Sequence, residues 1–286
     1  MAAITEVLVV GPLSTAGSNA VRRAALLARE HGWALRVLQV ERDPKLLPAA
    51  QHAVTELADQ LRGRLGIGVD AQAASGDLLK HVAAHMRTCG LLVVGSSSDN
   101  ALKQQVAGIA LDRLIRLCRA PALVVKRGVN AAFAQGAAPD GGYARVLACV
   151  DLEPSAPATV AAARAMAPGA GLEAFHAVSV KAAEARTAGR EPSSMPSVLG
   201  QARAALAQLL DAGGRHEATP CVGFGDPVDA VLSRQRALPA DLVVIGKRQR
   251  GLLADFFLGR LTREVLMQCS ADVLVLPRAA VVPQAS

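Results

Sequence analysis

Aromatic residues are scarce in this sequence, which has one Trp, one Tyr and five Phe among 286 residues. Proteins that bind single-stranded nucleic acid use aromatic faces on which the bases stack. The shortage therefore argues against a nucleic-acid partner, despite a formal net charge of +7. Long apolar runs are also missing, because none approaches the ~20 residues that a membrane-spanning helix needs. We expect no membrane association.

The amino terminus, MAAITEVLVV, has no basic segment before its apolar run. We interpret it as a first strand and not as a signal peptide, and we expect a soluble, cytoplasmic protein. No C-x-x-C pair occurs among the cysteines, which lie mostly in apolar contexts where free cysteine behaves as a small hydrophobe. An odd, scattered set favours a reducing compartment. The five are Cys89, Cys118, Cys149, Cys221 and Cys269.

The strongest positive feature is an internal repeat. Residues 241–276 contain a short apolar run, a glycine, a polar loop, apolar residues at helical spacing and a second β-branched run. Residues 90–125 repeat this order. The glycines Gly95 and Gly108 recur 151 positions later as Gly246 and Gly259. Each stretch has the pattern of a βαβ unit, and the constant offset indicates a duplication.

Short apolar runs alternate with amphipathic stretches through both halves of the chain. Wholly apolar strands are typical of parallel sheets that helices cover on both faces. We therefore predict an α/β fold of two tandem, doubly wound, open parallel five-stranded sheets with helices on both faces. The predicted domains are residues 1–127 and 144–280. A linker rich in Gly, Ala and Pro occupies residues 128–143.

Ligands of such sheets bind beyond the carboxyl ends of the strands, where the strand order reverses. In the second half, Asp151 and Gly246 follow predicted strands. We interpret Asp77 and Asp226 as helix N-caps and not as site residues. His81 and His85 share a helix face at a spacing that metal sites use, but the sequence offers no third ligand, so an ordinary histidine pair is favoured and no metal site is assigned.

With these features, the chain resembles the universal stress protein family in its tandem two-domain form. Members of that family that bind ATP carry G-x-x-G-x9-G-[ST] after the fourth strand and an Asp at the end of the first. The glycines let backbone amides approach the phosphates and ribose. In the second half, Gly246 and Gly259 keep the spacing, and Asp151 matches the acid. Gln249 replaces the second glycine, and Arg260 replaces the hydroxyl residue.

Thr262 lies two residues after Arg260, which occupies the position of the family's Ser or Thr. The same helical turn could therefore provide a hydroxyl group from Thr262. The first half departs further from the pattern, with Ser98 and Ile109 at the replaced positions and no acid after the first strand. The resemblance therefore implies that the first half does not hold a nucleotide in the family's manner. In the second half, the candidate nucleotide-binding residues are Asp151, Gly246, Gly259, Arg260 and Thr262.

Two interpretations of the replaced residues remain open. Arg260 could pair with a phosphate, helped by the basic residues of the preceding loop, Lys247, Arg248 and Arg250. Alternatively, Gln249 and Arg260 fill the glycine-lined groove and close it, and the loop is only a solvated basic surface. The second interpretation is the favoured one, because a degenerate motif is weak evidence for binding.

Two functional hypotheses follow. The leading one is a non-catalytic stress-response protein that acts through protein interaction and dimerisation, with degenerate nucleotide motifs and no cofactor. The alternative is a regulatory module that binds ATP or another adenine nucleotide in the second half, with at most slow ATPase activity. No catalytic residue is assigned, because the sequence shows no nucleophile–base set. The partner protein is not specified by the sequence.

The resemblance also implies how the two halves meet. The last strand of each half, within Leu123–Lys126 and Val273–Pro277, is expected to pair with the other across the interface between the halves. An unpaired strand edge is a template for aggregation, so covering it has a physical motive. We expect a homodimer in addition to this pairing within the chain.

Overall fold

The computed structural model describes residues 4–11, 15–96, 105–106, 109–126, 142–153, 156–179, 195–212, 218–246 and 258–277. The strands of the first half are β1 (Glu6–Val10), β2 (Ala34–Glu41), β3 (Val69–Ser75), β4 (Leu91–Gly95), β5 (Gln105–Val106), β6 (Ile109–Ala110) and β7 (Ala122–Val125). Its helices are α1 (Thr15–His31), α2 (Leu47–Leu65), α3 (Leu78–His85) and α4 (Leu111–Leu117). A single 3-10 turn, Pro44–Leu46, precedes α2.

The second half repeats the alternation. Its strands are β8 (Arg145–Cys149), β9 (Gly171–Val178), β10 (Ala218–Phe224), β11 (Leu242–Gly246) and β12 (Asp272–Leu276). Its described helices are α5 (Ala156–Met166), α6 (Met195–Ala212), α7 (Pro227–Ala237) and α8 (Arg260–Gln268). None of the helices in the described ranges has the length and apolar character needed to cross a bilayer.

Ten of the strands form one continuous sheet in the order β10-β9-β8-β11-β12-β7-β4-β1-β2-β3. In this sheet the strands of each half run parallel to one another, whereas β7 and β12 pair antiparallel. The predicted α/β class and the pairing of the last strands are confirmed. The two five-stranded arrays are joined edge to edge into a single sheet, because β7 and β12 each offer an unpaired edge to the other.

Helices cover both faces of this sheet. Alternate residues of each strand point to opposite faces, so Val7 and Val9 enter one core, while Leu8 and Val10 enter the other. Helices α1, α2, α5 and α6 contribute to the first core, and α3, α4, α7 and α8 to the second. Every residue of β4 and of β12 is buried, which explains why both strands are almost wholly apolar.

Two aspartates begin helices by capping them. Asp77 Oδ1 accepts a hydrogen bond of 2.8 Å from the Leu79 amide at the start of α3. Asp226 Oδ1 accepts one of 2.9 Å from the Val228 amide at the start of α7, where Pro227 occupies the first helical position. Both predicted N-caps are confirmed, and each satisfies one of the amide donors that a helix leaves free at its start.

The two free edges of the sheet are β3 and β10. Two side chains of α2 cover the outward-facing backbone groups of β3. Gln51 Oε1 accepts a hydrogen bond of 2.8 Å from the Ala73 amide, and Arg62 Nε donates one of 3.0 Å to the Val69 carbonyl. At the opposite edge, β10 carries Pro220, which has no amide hydrogen to offer a further strand. Both edges are therefore poor templates for pairing with another chain.

Candidate functional site

The site begins at the carboxyl edge of the second-half sheet, between β8 and β11. These strands are neighbours, with Cys149 opposite Ile245. Asp151 follows the end of β8 and Gly246 ends β11, so the chain brings both residues to the same edge of the sheet. Helix α5, which follows β8, covers one face, and α8, which follows β11, covers the other. This is the place where the strand order reverses and where ligands of open α/β sheets bind.

Asp151 and Gly246 are both half-buried. The backbone just before Asp151 is fixed to the neighbouring strand, because the Val150 amide donates a 2.9 Å hydrogen bond to the Phe175 carbonyl. A Cβ atom added to Gly246 would meet no other atom within 4 Å. The packing of the described residues therefore does not require glycine here, and none of them occupies the space beside it.

Helix α8 begins directly after Gly259. This glycine is the N-cap, with φ −58° and ψ 151°, and it supplies no side-chain acceptor for the first amides of the helix. Asp226 does supply one at the start of α7. The N-cap residue of α8 thus leaves the amide donors of the first turn uncapped, and the positive end of the helix dipole lies at the same place.

Arg260 is the first residue of α8 and turns towards the start of α7. Its guanidinium NH1 donates a hydrogen bond of 2.8 Å to Asp226 Oδ2, and its side chain is 72 % exposed. The hydrogen bond to Arg260 lowers the pKa of Asp226, and the same bond raises the pKa of Arg260. Both groups stay ionised at neutral pH. The neighbouring residues Lys247, Arg248, Gln249 and Arg250 lie outside the described residues.

Sequence reasoning assigned Asp226 only as a cap and missed its pairing with Arg260. The two residues are 34 positions apart, and no linear spacing relates them. Topology offers the missing signal: α7 and α8 lie on the same face of the sheet, and each follows a strand that ends at the same edge. Their amino-terminal ends are therefore brought to one side of the molecule.

Thr262 is the least accessible of the predicted site residues. It lies in the first turn of α8, is 3 % exposed and belongs to the buried side of the helix together with Val265 and Leu266. The other candidates are half-buried or exposed. The structure thus places Asp151, Gly246, Gly259 and Arg260 at the accessible edge and Thr262 behind them.

The first half differs at the corresponding edge. Gly95 ends β4, and the chain passes through the short antiparallel pair β5 and β6 before α4 begins at Leu111. Ile109, the counterpart of Arg260, lies in β6 and not at the start of the helix. Ser98 and Gly108 lie outside the described residues. The two halves have therefore diverged in backbone structure as well as in sequence at this position.

The histidines of α3 bind separate partners. His81 Nε2 is 3.1 Å from the Ser75 carbonyl oxygen, whereas His85 Nδ1 accepts a hydrogen bond of 3.1 Å from Arg36 NH1. Burial, followed by the charge of Arg36, lowers the pKa of His85. In the part of the chain that the structure describes, no three His, Cys, Asp or Glu residues group as they would around a metal ion.

Comparison with known proteins gives a family match for the second half and a fold match for nearly the whole chain. Residues 142–277 match the model of the universal stress protein family. A protein of unknown function from Pseudomonas aeruginosa PAO1 has a solved structure with 24 % identity and a TM-score of 0.69, covering 96 % of this chain and 93 % of that chain. A sequence comparison with curated proteins finds no match.

Two further solved structures share the fold. One is a candidate universal stress protein from Pseudomonas aeruginosa UCBPP-PA14, with 23 % identity, a TM-score of 0.69, and coverage of 96 % of this chain and 94 % of that one. The other is a universal stress protein from Archaeoglobus fulgidus, with 17 % identity, a TM-score of 0.68, and coverage of 96 % and 98 %. At these identities the similarity establishes the fold, including its two-half arrangement.

Proposed function

We propose that this protein is a non-catalytic stress-response protein that acts through protein interaction and dimerisation. Its residues 142–277 match the universal stress protein family. The observation that supports this proposal most directly is the ion pair between Arg260 and Asp226. Arg260 stands where the resemblance expects a hydroxyl donor to the nucleotide, and a carboxylate of the same chain already binds it. A motif altered in this way favours a structural or interaction role over turnover.

Protein contacts have candidate positions on the described surface. Large apolar side chains remain exposed at Leu46, Leu117 and Phe224. They lie respectively in the turn before α2, at the end of α4 and at the end of the edge strand β10. Isolated exposed apolar residues are common, so each supports the proposal only as a position to test by mutation.

Sedimentation velocity over a hundredfold range of concentration tests dimerisation. We expect a concentration-dependent dimer of the full chain, and substitution of an exposed apolar residue such as Phe224→Ser should weaken it. A chain that stays monomeric throughout would refute dimerisation. Measurement of ATP hydrolysis, compared with a no-protein blank and with Asp151→Ala, tests the absence of catalysis. Turnover that the Asp151→Ala variant loses would contradict a non-catalytic role.

A second candidate function is adenine-nucleotide binding by the second half. It is supported by the position of Asp151 and Gly246 at the reversal of strand order and by the space beside Gly246, which no described residue fills. The start of α8 supports it too, because its N-cap Gly259 has no side-chain acceptor. These are features that a phosphate-bearing ligand can use. In this hypothesis Asp151 contacts the base end of the ligand, and the start of α8 contacts its other end.

Mass spectrometry of ligands released from the freshly purified protein tests this candidate, with the Asp151→Ala variant as the matched control. Nucleotide found in the wild-type protein and lost in the variant would support it. Added ATP should then also raise the melting temperature, because a ligand that binds only the folded state stabilises that state. No released nucleotide and no shift at millimolar ATP would argue decisively against it.

A further inference from the structure

The start of α7 and the start of α8 are joined by one carboxylate. Asp226 uses Oδ1 to accept the Val228 amide at 2.9 Å and Oδ2 to accept Arg260 NH1 at 2.8 Å. Its cap bond fixes the carboxylate on α7, so the negative charge cannot swing away from Arg260 without uncapping that helix. The lowered pKa of Asp226 agrees with a carboxylate that stays ionised there.

We infer that Asp226 is a specificity-determining residue that competes with the phosphate groups of a ligand for Arg260. This inference rests on the second candidate function, nucleotide binding by the second half. The ligand class that fits is an adenine nucleoside or a nucleotide with few phosphate charges, in preference to a triphosphate.

The physical reason is the placement of opposite charges at the site. Arg260 is a cation at the first position of α8, and Asp226 lies within hydrogen-bond distance of it. A phosphate that reaches this guanidinium also approaches a fixed carboxylate, and the repulsion grows with each negative charge that the ligand carries. The 72 % exposure of Arg260 allows the side chain to leave Asp226, so the pair biases the choice of ligand without blocking the site.

Asp226→Asn is the variant that isolates the charge. Asparagine caps helices about as well as aspartate does, so α7 keeps its cap and the protein keeps its fold. Asp77→Asn is the matched control. Asp77 caps α3 as Asp226 caps α7, by accepting a hydrogen bond from the amide two residues later, and it forms no ion pair with the described Lys and Arg residues. Arg260→Gln, alone and combined with Asp226→Asn, tests whether the effect passes through the guanidinium.

The experiment is isothermal titration of these proteins with adenosine, AMP and ATP at low and high salt. The wild-type protein should bind adenosine or AMP at least as tightly as ATP. Asp226→Asn should raise the affinity for ATP by about tenfold at low salt and leave that for adenosine unchanged, since Arg260 then pairs with the phosphate and not with a carboxylate. The double variant with Arg260→Gln should lose the gain, and Asp77→Asn should behave as wild type.

The outcomes separate this inference from the function on which it rests. Equal ATP affinities for wild-type protein and Asp226→Asn, with binding retained, would overturn the inference and leave the nucleotide site standing. The same gain in Asp77→Asn would also overturn it, because that effect would come from the helix cap. No binding of any ligand by any of the proteins would overturn both.

Discussion

The carboxylate of Asp272 accepts a hydrogen bond of 3.0 Å from the hydroxyl of Tyr143, and both residues are buried. Arg23 completes the cluster, with its Nε 3.2 Å from Asp272 Oδ2 and its guanidinium carbon 4.6 Å from the centroid of the Tyr143 ring. Asp272 also accepts a 2.8 Å bond from the Lys126 amide. Residues of α1, of the end of β7 and of β12 are thus held together where the halves meet.

Asp272→Asn should lower the free energy of unfolding by about 3–5 kcal/mol, because it removes a buried carboxylate charge from beside the Arg23 guanidinium. The Arg23 side chain is only 11 % exposed. Urea denaturation followed by circular dichroism measures the change. Asp59→Asn is the control, since Asp59 pairs with Arg62 on the exposed face of α2 and should cost at most about 1 kcal/mol. Equal losses in the two variants would contradict the stabilising role of the buried cluster.

The lowered pKa of His85 predicts a loss of stability on mild acidification. Above its ordinary pKa of 6.5 the imidazole is neutral in the folded and unfolded chain, and Nδ1 accepts the hydrogen bond from Arg36. Below 6.5 the unfolded chain binds a proton more readily than the folded one, so stability falls until the lowered pKa is reached. The free energy of unfolding should therefore decrease as the pH falls below 6.5.

His85→Gln removes the titrating group while keeping a side-chain acceptor for Arg36. Its stability should change less than that of the wild-type protein over the same pH range. His52→Gln is the control, because His52 is exposed on α2, whereas the described histidine that bonds to Arg36 is His85. A pH dependence that survives in His85→Gln would assign it to other groups.

The cysteine thiols should react slowly in the folded protein. Burial raises the pKa of Cys89 to about 12, with a further contribution from its hydrogen bond to Glu6, and burial also raises the pKa of Cys149, Cys221 and Cys269. The reactive thiolate is therefore rare at pH 8. Ellman's reagent should label all five cysteines promptly in guanidinium chloride and much more slowly without it. Rapid labelling of native Cys89 or Cys149 would contradict this prediction.

Removing the side chains that cover β3 should promote aggregation. The double variant Gln51→Leu and Arg62→Leu exposes the Ala73 amide and the Val69 carbonyl as a free strand edge. Light scattering during incubation a few degrees below the melting temperature should rise sooner than in wild type. Gln60→Leu is the control on the same helix, because Gln60 bonds to Glu56 within α2 and to no described residue of β3. Equal scattering by the two variants would show that added apolar surface, and not the freed edge, is responsible.

The fold could be predicted from the sequence because its signals are local. Wholly apolar runs marked the strands, and the constant offset of the glycines marked the repeat. Asp77 and Asp226 were recognised as caps, because a cap depends on residues within one helical turn. The pairing of β7 with β12 followed from the family resemblance and is confirmed.

The long-range polar contacts could not be predicted in the same way. Arg260 and Asp226 are brought together by the packing of two helices, and Asp272 receives partners from residues more than a hundred positions away. Tyr143 was assigned to the end of the linker but is 4 % exposed, because its ring lies beneath Arg23. In each case, the partner is specified by three-dimensional packing, and the neighbouring sequence is unremarkable.

The antiparallel join of β7 and β12 has a consequence for how the two halves can evolve. When two identical chains meet about a two-fold axis, every residue at the interface occurs twice and must suit both sides. In this chain the repeat counterpart of Lys126 is Pro277, and the repeat counterpart of Asp272 is Pro121, so the two sides of the join carry different residues. Covalent linkage thus frees each side of the join to change independently, and it keeps the partners at a high effective concentration however dilute the protein becomes.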